Sequence, residues 1–173
     1  MRSMGVRALG RAVLVLAGCA LLVAGCSSNS SGGGGGGGGG PAGPAATKDA
    51  APGSVLTASG SVGTYLTDYQ GMALYAFAKD TGIASTCTDT CATNWPPYTL
   101  TSTIPKAGPG VTQSLLSTFT RQNGAAQIAY NGHPLYTYKG DTAAGDTKGQ
   151  GVNSDGGLWY LVAPNGSPIT TAK

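Results

Sequence analysis

The chain reads as an all-β protein: one small single domain of two related β-hairpin or meander repeats with long Gly-rich loops, preceded by a signal peptide and a disordered linker. Three observations carry that reading. First, Gly71-Met72-Ala73-Leu74-Tyr75-Ala76-Phe77-Ala78-Lys79-Asp80-Thr81 returns as Gly132-His133-Pro134-Leu135-Tyr136-Thr137-Tyr138-Lys139-Gly140-Asp141-Thr142. A fixed offset with matched chemistry marks two copies of one supersecondary unit. Second, Asn123-Gly124 and Asn131-Gly132 each sit between strand-like runs. Both central residues of a type I′ turn need positive φ, so the pairs signal hairpins. Third, only 10% of residues are charged, every acidic residue is Asp, and Gly numbers 30. Exposed helix faces favour the Glu and Lys that are scarce here.

The N-terminus is an address. Arg2, Arg7 and Arg11 form a basic head, residues 12–23 an apolar core too short for a stable span, and Val23-Ala24-Gly25-Cys26 follows. That order predicts a lipoprotein signal over residues 1–25 and a lipid on Cys26, since the peptidase needs small residues before the Cys that is acylated. Leu16-Ala17-Gly18-Cys19 fits the same pattern, but cleavage there would shorten the apolar core and carry its greasy remainder into the mature chain. Ser27 carries no inner-membrane retention cue. The expected location is the outer face of the bacterial cell membrane or the outer membrane, with the membrane as partner through that lipid.

Residues 26–53 follow as a tether of Ser, nine consecutive Gly and a Pro/Ala run, which buries nothing. Its root-mean-square reach is roughly 25–30 Å. The whole chain has 10 Lys and Arg against 7 Asp; removing the three leader arginines leaves 7 against 7. A neutral domain excludes a nucleic-acid surface, and there is no polybasic run for anionic lipid.

Residues 54–173 hold the repeat domain, repeat one about 62–98 and repeat two about 118–163. Residues 55–56 and 62–67 read as strands, and 69–71 turn the chain into the strand at 73–77, where Leu74, Ala76 and Ala78 alternate against Tyr75 and Phe77. Residues 80–110 read as irregular, fastened by Cys87, Cys91 and Trp95-Pro96-Pro97-Tyr98. Residues 113–117 allow one helical turn; 118–122, 127–130 and 134–138 form a meander. A Gly-rich loop at 141–157 and a final core strand at 158–162 complete the fold. Trp95 and Trp159 are the repeat-equivalent indoles and are expected in one core.

The repeated Tyr-x-aromatic-x-x-Asp motif, with Cys87 to Pro97 after the first copy and Gly145-Asp146-Thr147-Lys148-Gly149-Gln150-Gly151 after the second, resembles the bacterial lipoproteins of the "secreted repeat of unknown function" family. The likeness runs from about Gly63 to Gly166. It implies a lipid-anchored exported protein with tandem repeats and no established activity.

Several constellations invite chemistry. Asp80-Thr81-Gly82 with Asp141-Thr142-Ala143 looks like a duplicated aspartic dyad, but Lys79 or Gly140 precedes each Asp where an apolar strand belongs. The simpler reading has Asp80 and Asp141 accepting turn N–H groups. Tyr75 and Tyr136 are expected as buried rings whose hydroxyls find the Asp five residues on, and Phe77 and Tyr138 as their motif partners. The domain's tyrosines read as core and cross-strand pairs before a glycan platform. Cys87 and Cys91, an even pair in an exported domain, read as a disulfide. The alternative is copper or redox chemistry, because Cys-x-x-x-Cys with His133, or with Met72 at its repeat-equivalent place, offers soft sulfur and imidazole. Asp141, Asp146 and Asp155 lack calcium-loop spacing. A single His cannot serve a triad, so no enzyme and no cofactor are expected. The reading is a non-catalytic envelope module for an unidentified extracytoplasmic ligand or protein.

Overall fold

The computed structural model describes residues 50–101 and 104–171. Cys26, the signal segment and the tether before residue 50 lie outside the described residues. Strands β1 (Ser54–Gly60), β2 (Gly63–Thr67) and β3 (Tyr75–Phe77) belong to the first repeat, followed by helix α1 (Asp89–Asn94) and β4 (Thr99–Leu100). After β5 (Lys106–Ala107) and a 3-10 turn at Gln113–Leu115, the second repeat supplies β6 (Leu116–Thr120), β7 (Ala126–Tyr130) and β8 (His133–Pro134). Then come β9 (Asn153–Ser154) and β10 (Gly157–Leu161).

The two repeats share one hairpin plan. β1 pairs antiparallel with β2, Thr57 opposite Leu66, as β6 pairs with β7, Thr118 opposite Ile128. Each second strand then folds back, so that Leu74 N–H donates to the Leu66 carbonyl at 2.9 Å and Leu135 N–H to the Ile128 carbonyl at 3.0 Å. The turns differ by one residue. In the second repeat Asn131 (φ 48°) and Gly132 (φ 80°) form the tight turn expected of Asn-Gly. In the first, Asp68 Oδ1 accepts from the N–H groups of Gln70 at 2.8 Å and Met72 at 2.9 Å, bridging the extra residue.

Each repeat donates its last segment to the other. Tyr98, just before β4, enters the second hairpin: its N–H donates to Leu135 and its carbonyl accepts from Ile128, both at 2.9 Å. Val162, just after β10, enters the first hairpin in the same way: its N–H donates to Leu74 at 3.3 Å and its carbonyl accepts from Leu66 at 2.8 Å. The repeats meet where Tyr75 and Tyr136 exchange both backbone hydrogen bonds, at 2.8 and 3.0 Å. This is a pseudo-two-fold relation between the copies, and neither hairpin is complete without the other's tail.

Strand alternation then sorts side chains into two cores. Tyr75, Phe77, Tyr136, Leu161, Trp95 and Trp159 occupy one, with Cys87 and Cys91. Leu74, Ala76, Leu135, Val162, Leu66 and Ile128 occupy the other. The central strands are therefore buried on both faces, and each of their large apolar side chains contributes about 1.5–3 kcal/mol.

Three expectations need correction. Residues 80–110 are not wholly irregular: they carry α1, β4, and β5, which lies parallel to β1. α1 has poor helix formers and no side-chain N-cap, so its turn rests on the Cys87–Cys91 link and the burial of both residues. Residues 141–157 include the short β9, paired with β10. At Asn123-Gly124 only the Gly has positive φ, and Gly124 N–H closes on the Arg121 carbonyl, the longer bulged hairpin rather than a type I′ turn.

Candidate functional site

The motif residues of both copies converge where the repeats meet. Tyr75 and Tyr136 are fully buried. Their hydroxyls do not take the Asp of their own copy, as the five-residue spacing suggested. They cross: Tyr75 donates to Asp141 Oδ2 at 2.7 Å, and Tyr136 to Asp80 Oδ2 at 2.6 Å. The crossing follows from the backbone exchange at Tyr75 and Tyr136, which sets each ring beside the turn that closes the opposite copy.

The second oxygen of each carboxylate holds its own turn. Asp141 Oδ1 accepts the Lys148 N–H at 2.8 Å; Asp80 Oδ1 accepts the N–H and hydroxyl of Thr86 at 2.7 and 2.8 Å. The two carboxylates thus work apart, each with its own tyrosine, and share no hydrogen bond. Burial drives the Tyr75 and Tyr136 phenols well above their ordinary range, and the neighbouring carboxylates push them further. Burial also raises Asp141, against the opposing hydrogen bonds from Tyr75 and Lys148.

Above these pairs lies a column of four rings. Phe77 stacks on Trp159 at 4.2 Å, Trp159 on Trp95 at 4.0 Å and 1° between planes, and Trp95 on Tyr138 at 4.1 Å. The copies alternate along it, and the Trp95–Trp159 pair stands at its centre. Tyr75 meets Trp95 edge-on at 5.4 Å, and Tyr136 meets Trp159 edge-on at 5.1 Å. The prediction that both indoles share one core holds. Gly149 is fitted to it: a Cβ there would stand 2.8 Å from Tyr75 and 2.9 Å from Trp95.

Cys87 and Cys91 form a disulfide on the flank of this core. Their sulfurs are bonded to each other, so the copper alternative loses its thiolates. Among the described residues no three His, Cys, Asp or Glu side chains stand together as metal ligands. His133 lines a cleft of about 200 Å³ together with Phe77, Asp80, Tyr160 and Pro168 among others. Met72 sits in the first hairpin turn, its N–H held by Asp68. Asp146 accepts from Thr142, Ala143 and Lys148, closing its own loop.

Three residues escaped the sequence reading. Arg121, in the turn between β6 and β7, binds Gln127 Oε1, Ser85 Oγ and the Cys87 carbonyl, fastening the disulfide segment to that hairpin. Gln127 is fully buried and donates to the Leu135 carbonyl at 2.8 Å. Gln150 accepts from Leu161 N–H and donates to the Ile169 carbonyl, clamping the C-terminal segment. Only Gln150 carried a signal, as part of the Gly149-Gln150-Gly151 run.

Fold and site define first a class: a tandem-repeat all-β domain whose copies are locked by exchanged strands, crossed Tyr–Asp contacts and one indole stack. Within it, the chain belongs to the family described as secreted repeat of unknown function, whose model matches residues 56–99 and 117–163. No curated protein and no solved structure matches the chain. The family makes this an exported protein, and no helix among the described residues is long and apolar enough to cross a membrane.

Proposed function

We propose that this is a lipid-anchored envelope protein, held through Cys26 on the outer face of a bacterial membrane, whose repeat domain binds or scaffolds an extracytoplasmic partner without catalysing a reaction. The crossed Tyr–Asp pairing carries this reading. The motif residues Tyr75, Tyr136, Asp80 and Asp141 are paired with one another in joining the repeats, which leaves recognition of a partner to the surface. A rigid two-copy domain on a tether of 26–53 suits display away from the bilayer. The cleft beside His133, built from both copies and the C-terminal segment around Pro168 and Thr170, offers a mostly apolar lining that includes one imidazole.

Two measurements on the full chain test it. Metabolic labelling with a palmitate analogue is expected to mark the wild type and not Cys26→Ala, with Cys26→Ala shed into the medium; unchanged labelling would move the lipid site elsewhere. Capture from envelope extract is expected to weaken on His133→Ala with the fold intact. Equal capture by both would remove the cleft from the reading.

A further inference from the structure

The core contains more redox-capable chemistry than packing requires. Indole and phenol are the side chains that give up a single electron most readily, and here two indoles lie parallel at 4.0 Å, each with a tyrosine edge-on. Oxidising a neutral phenol requires its proton to leave at the same time. Both tyrosines already donate that proton to a carboxylate, at 2.7 and 2.6 Å, the short range of charge-assisted O–H···O⁻ bonds. The indoles are arranged the opposite way. Trp159 Nε1 is buried with no hydrogen-bond partner among the described residues, and Trp95 Nε1 donates to the neutral Ser154 hydroxyl. An oxidised indole here has no base to take its proton, so the electron hole stays mobile.

The column also has a port. Tyr138 at its end is half-buried, and a cleft of about 440 Å³ lined by Asn94, Tyr138, Lys139 and Ser154 opens onto that ring and the edge of Trp95. The opposite end is buried Phe77, a ring far harder to oxidise.

The geometry points to a one-electron relay. A one-electron oxidant of the extracytoplasmic space, such as a high-valent metal centre or an oxygen-derived radical, removes an electron through Tyr138 from the Trp95–Trp159 pair and is itself reduced by one. The indole radical cation then takes an electron from Tyr75 or Tyr136, while the phenolic proton passes to Asp141 or Asp80. The products are a neutral indole, a neutral tyrosyl radical and a protonated carboxyl group. A one-electron donor such as a thiolate, which leaves as a thiyl radical, restores the phenol, and the phenol recovers its proton from the carboxyl group. This role goes beyond display and binding, and stands or falls separately from lipidation at Cys26.

Flash photooxidation of the intact mature chain by a ruthenium polypyridyl sensitiser with a sacrificial electron acceptor tests it, read by transient absorption and by electron paramagnetic resonance of freeze-quenched samples. The folded wild type is expected to show an indole radical cation that converts to a hydrogen-bonded tyrosyl radical, with a solvent deuterium isotope effect on that conversion. Asp80→Asn/Asp141→Asn is expected to slow the conversion about a hundredfold, the scale of a lost positioned proton acceptor, so that the indole signal persists. Tyr75→Phe/Tyr136→Phe is expected to abolish the tyrosyl product. Should these variants not fold, the wild type alone decides, against the same chain unfolded in urea. Identical radical yields and spectra in the two states, or a tyrosyl signal that survives Tyr75→Phe/Tyr136→Phe in folded protein, would overturn the relay.

Discussion

The Tyr75 hydroxyl donates to Asp141 Oδ2 at 2.7 Å across 66 positions of chain, and Tyr136 repays the contact to Asp80 at 2.6 Å. A motif spaced within one copy is thus satisfied only between copies. Removing one hydroxyl takes a donor from a carboxylate that is buried at Asp141 and half-buried at Asp80, which costs about 1–3 kcal/mol. Tyr75→Phe and Tyr136→Phe are each expected to lower stability by that amount in chemical denaturation. The crossed partnership is separately testable. Tyr75→Phe with Asp141→Ala should couple by about 0.5–3 kcal/mol, whereas Tyr75→Phe with Asp80→Ala should be additive within about 0.5 kcal/mol. Coupling in the second pair and not the first would restore the within-copy assignment.

Acid and alkali act in opposite directions on these groups. Burial raises Asp141 and Asp68 above the ordinary 3.8, so between that value and their folded values the native state binds more protons than the unfolded chain. Stability from these two therefore falls as pH rises through that window and grows as pH drops toward it. Asp146, held down by Lys148 and the Thr142 N–H, works the other way and loses its contribution below the same value. A maximum of melting temperature in mildly acidic solution is expected, and Asp141→Asn should flatten the slope between there and neutrality. A slope unchanged in Asp141→Asn would assign the effect elsewhere.

Above pH 10 the unfolded chain releases phenolic protons that Tyr75, Tyr98 and Tyr136 retain when folded, because burial raises all three. Stability is fully present below the ordinary phenol value of 10.0 and is lost as pH rises past it. Tyrosinate absorbance from these three should appear together with loss of the near-UV circular dichroism of the indole stack. A smooth titration that precedes unfolding would show that the hydroxyls are accessible.

The disulfide closes a small loop, worth about 2 kcal/mol by chain entropy. Its local effect should be larger than its global one, because the Trp95 N–H donates to the Cys91 carbonyl at 2.8 Å and the indole follows directly after α1. Cys87→Ser/Cys91→Ser is expected to retain the strands by far-UV circular dichroism while weakening the near-UV signal of the Trp95–Trp159 pair. An unaltered near-UV spectrum would separate the stack from the bridge.

How much of this was legible depended on sequence range. The duplication, the Asn131-Gly132 turn, the paired indoles and the disulfide all announce themselves through local or periodic patterns. The crossing of Tyr75 to Asp141 does not, because spacing within a copy is blind to which copy supplies the partner, and the nearer Asp80 looks equally suitable. Arg121 and Gln127 were missed for a related reason. Each makes its bonds to segments distant in sequence, and a lone polar residue beside a turn or within a strand has no pattern of its own. α1 runs against the helix propensity of most of its residues, and the disulfide with the burial of both cysteines accounts for it.

Gly149 gives the last test, since its place in the core rests on a missing atom. A Cβ there would lie 2.8 Å from Tyr75 Cζ and 2.9 Å from two atoms of the Trp95 ring, closer than carbon atoms approach. Neither ring can easily yield: Tyr75 is fixed by Asp141, and Trp95 by Trp159 and Tyr138. Gly149→Ala is therefore expected to cost about 1–3 kcal/mol by overpacking, lowering the melting temperature by roughly 4 °C per kcal/mol. The near-UV signature of the stack should change with it. In Gly149→Ala/Tyr75→Phe the phenolic oxygen is gone and the ring is free to shift, so the combined loss should fall short of the sum. Full additivity would show that the methyl group is accommodated by the loop carrying Gly149 and not by the rings beneath it.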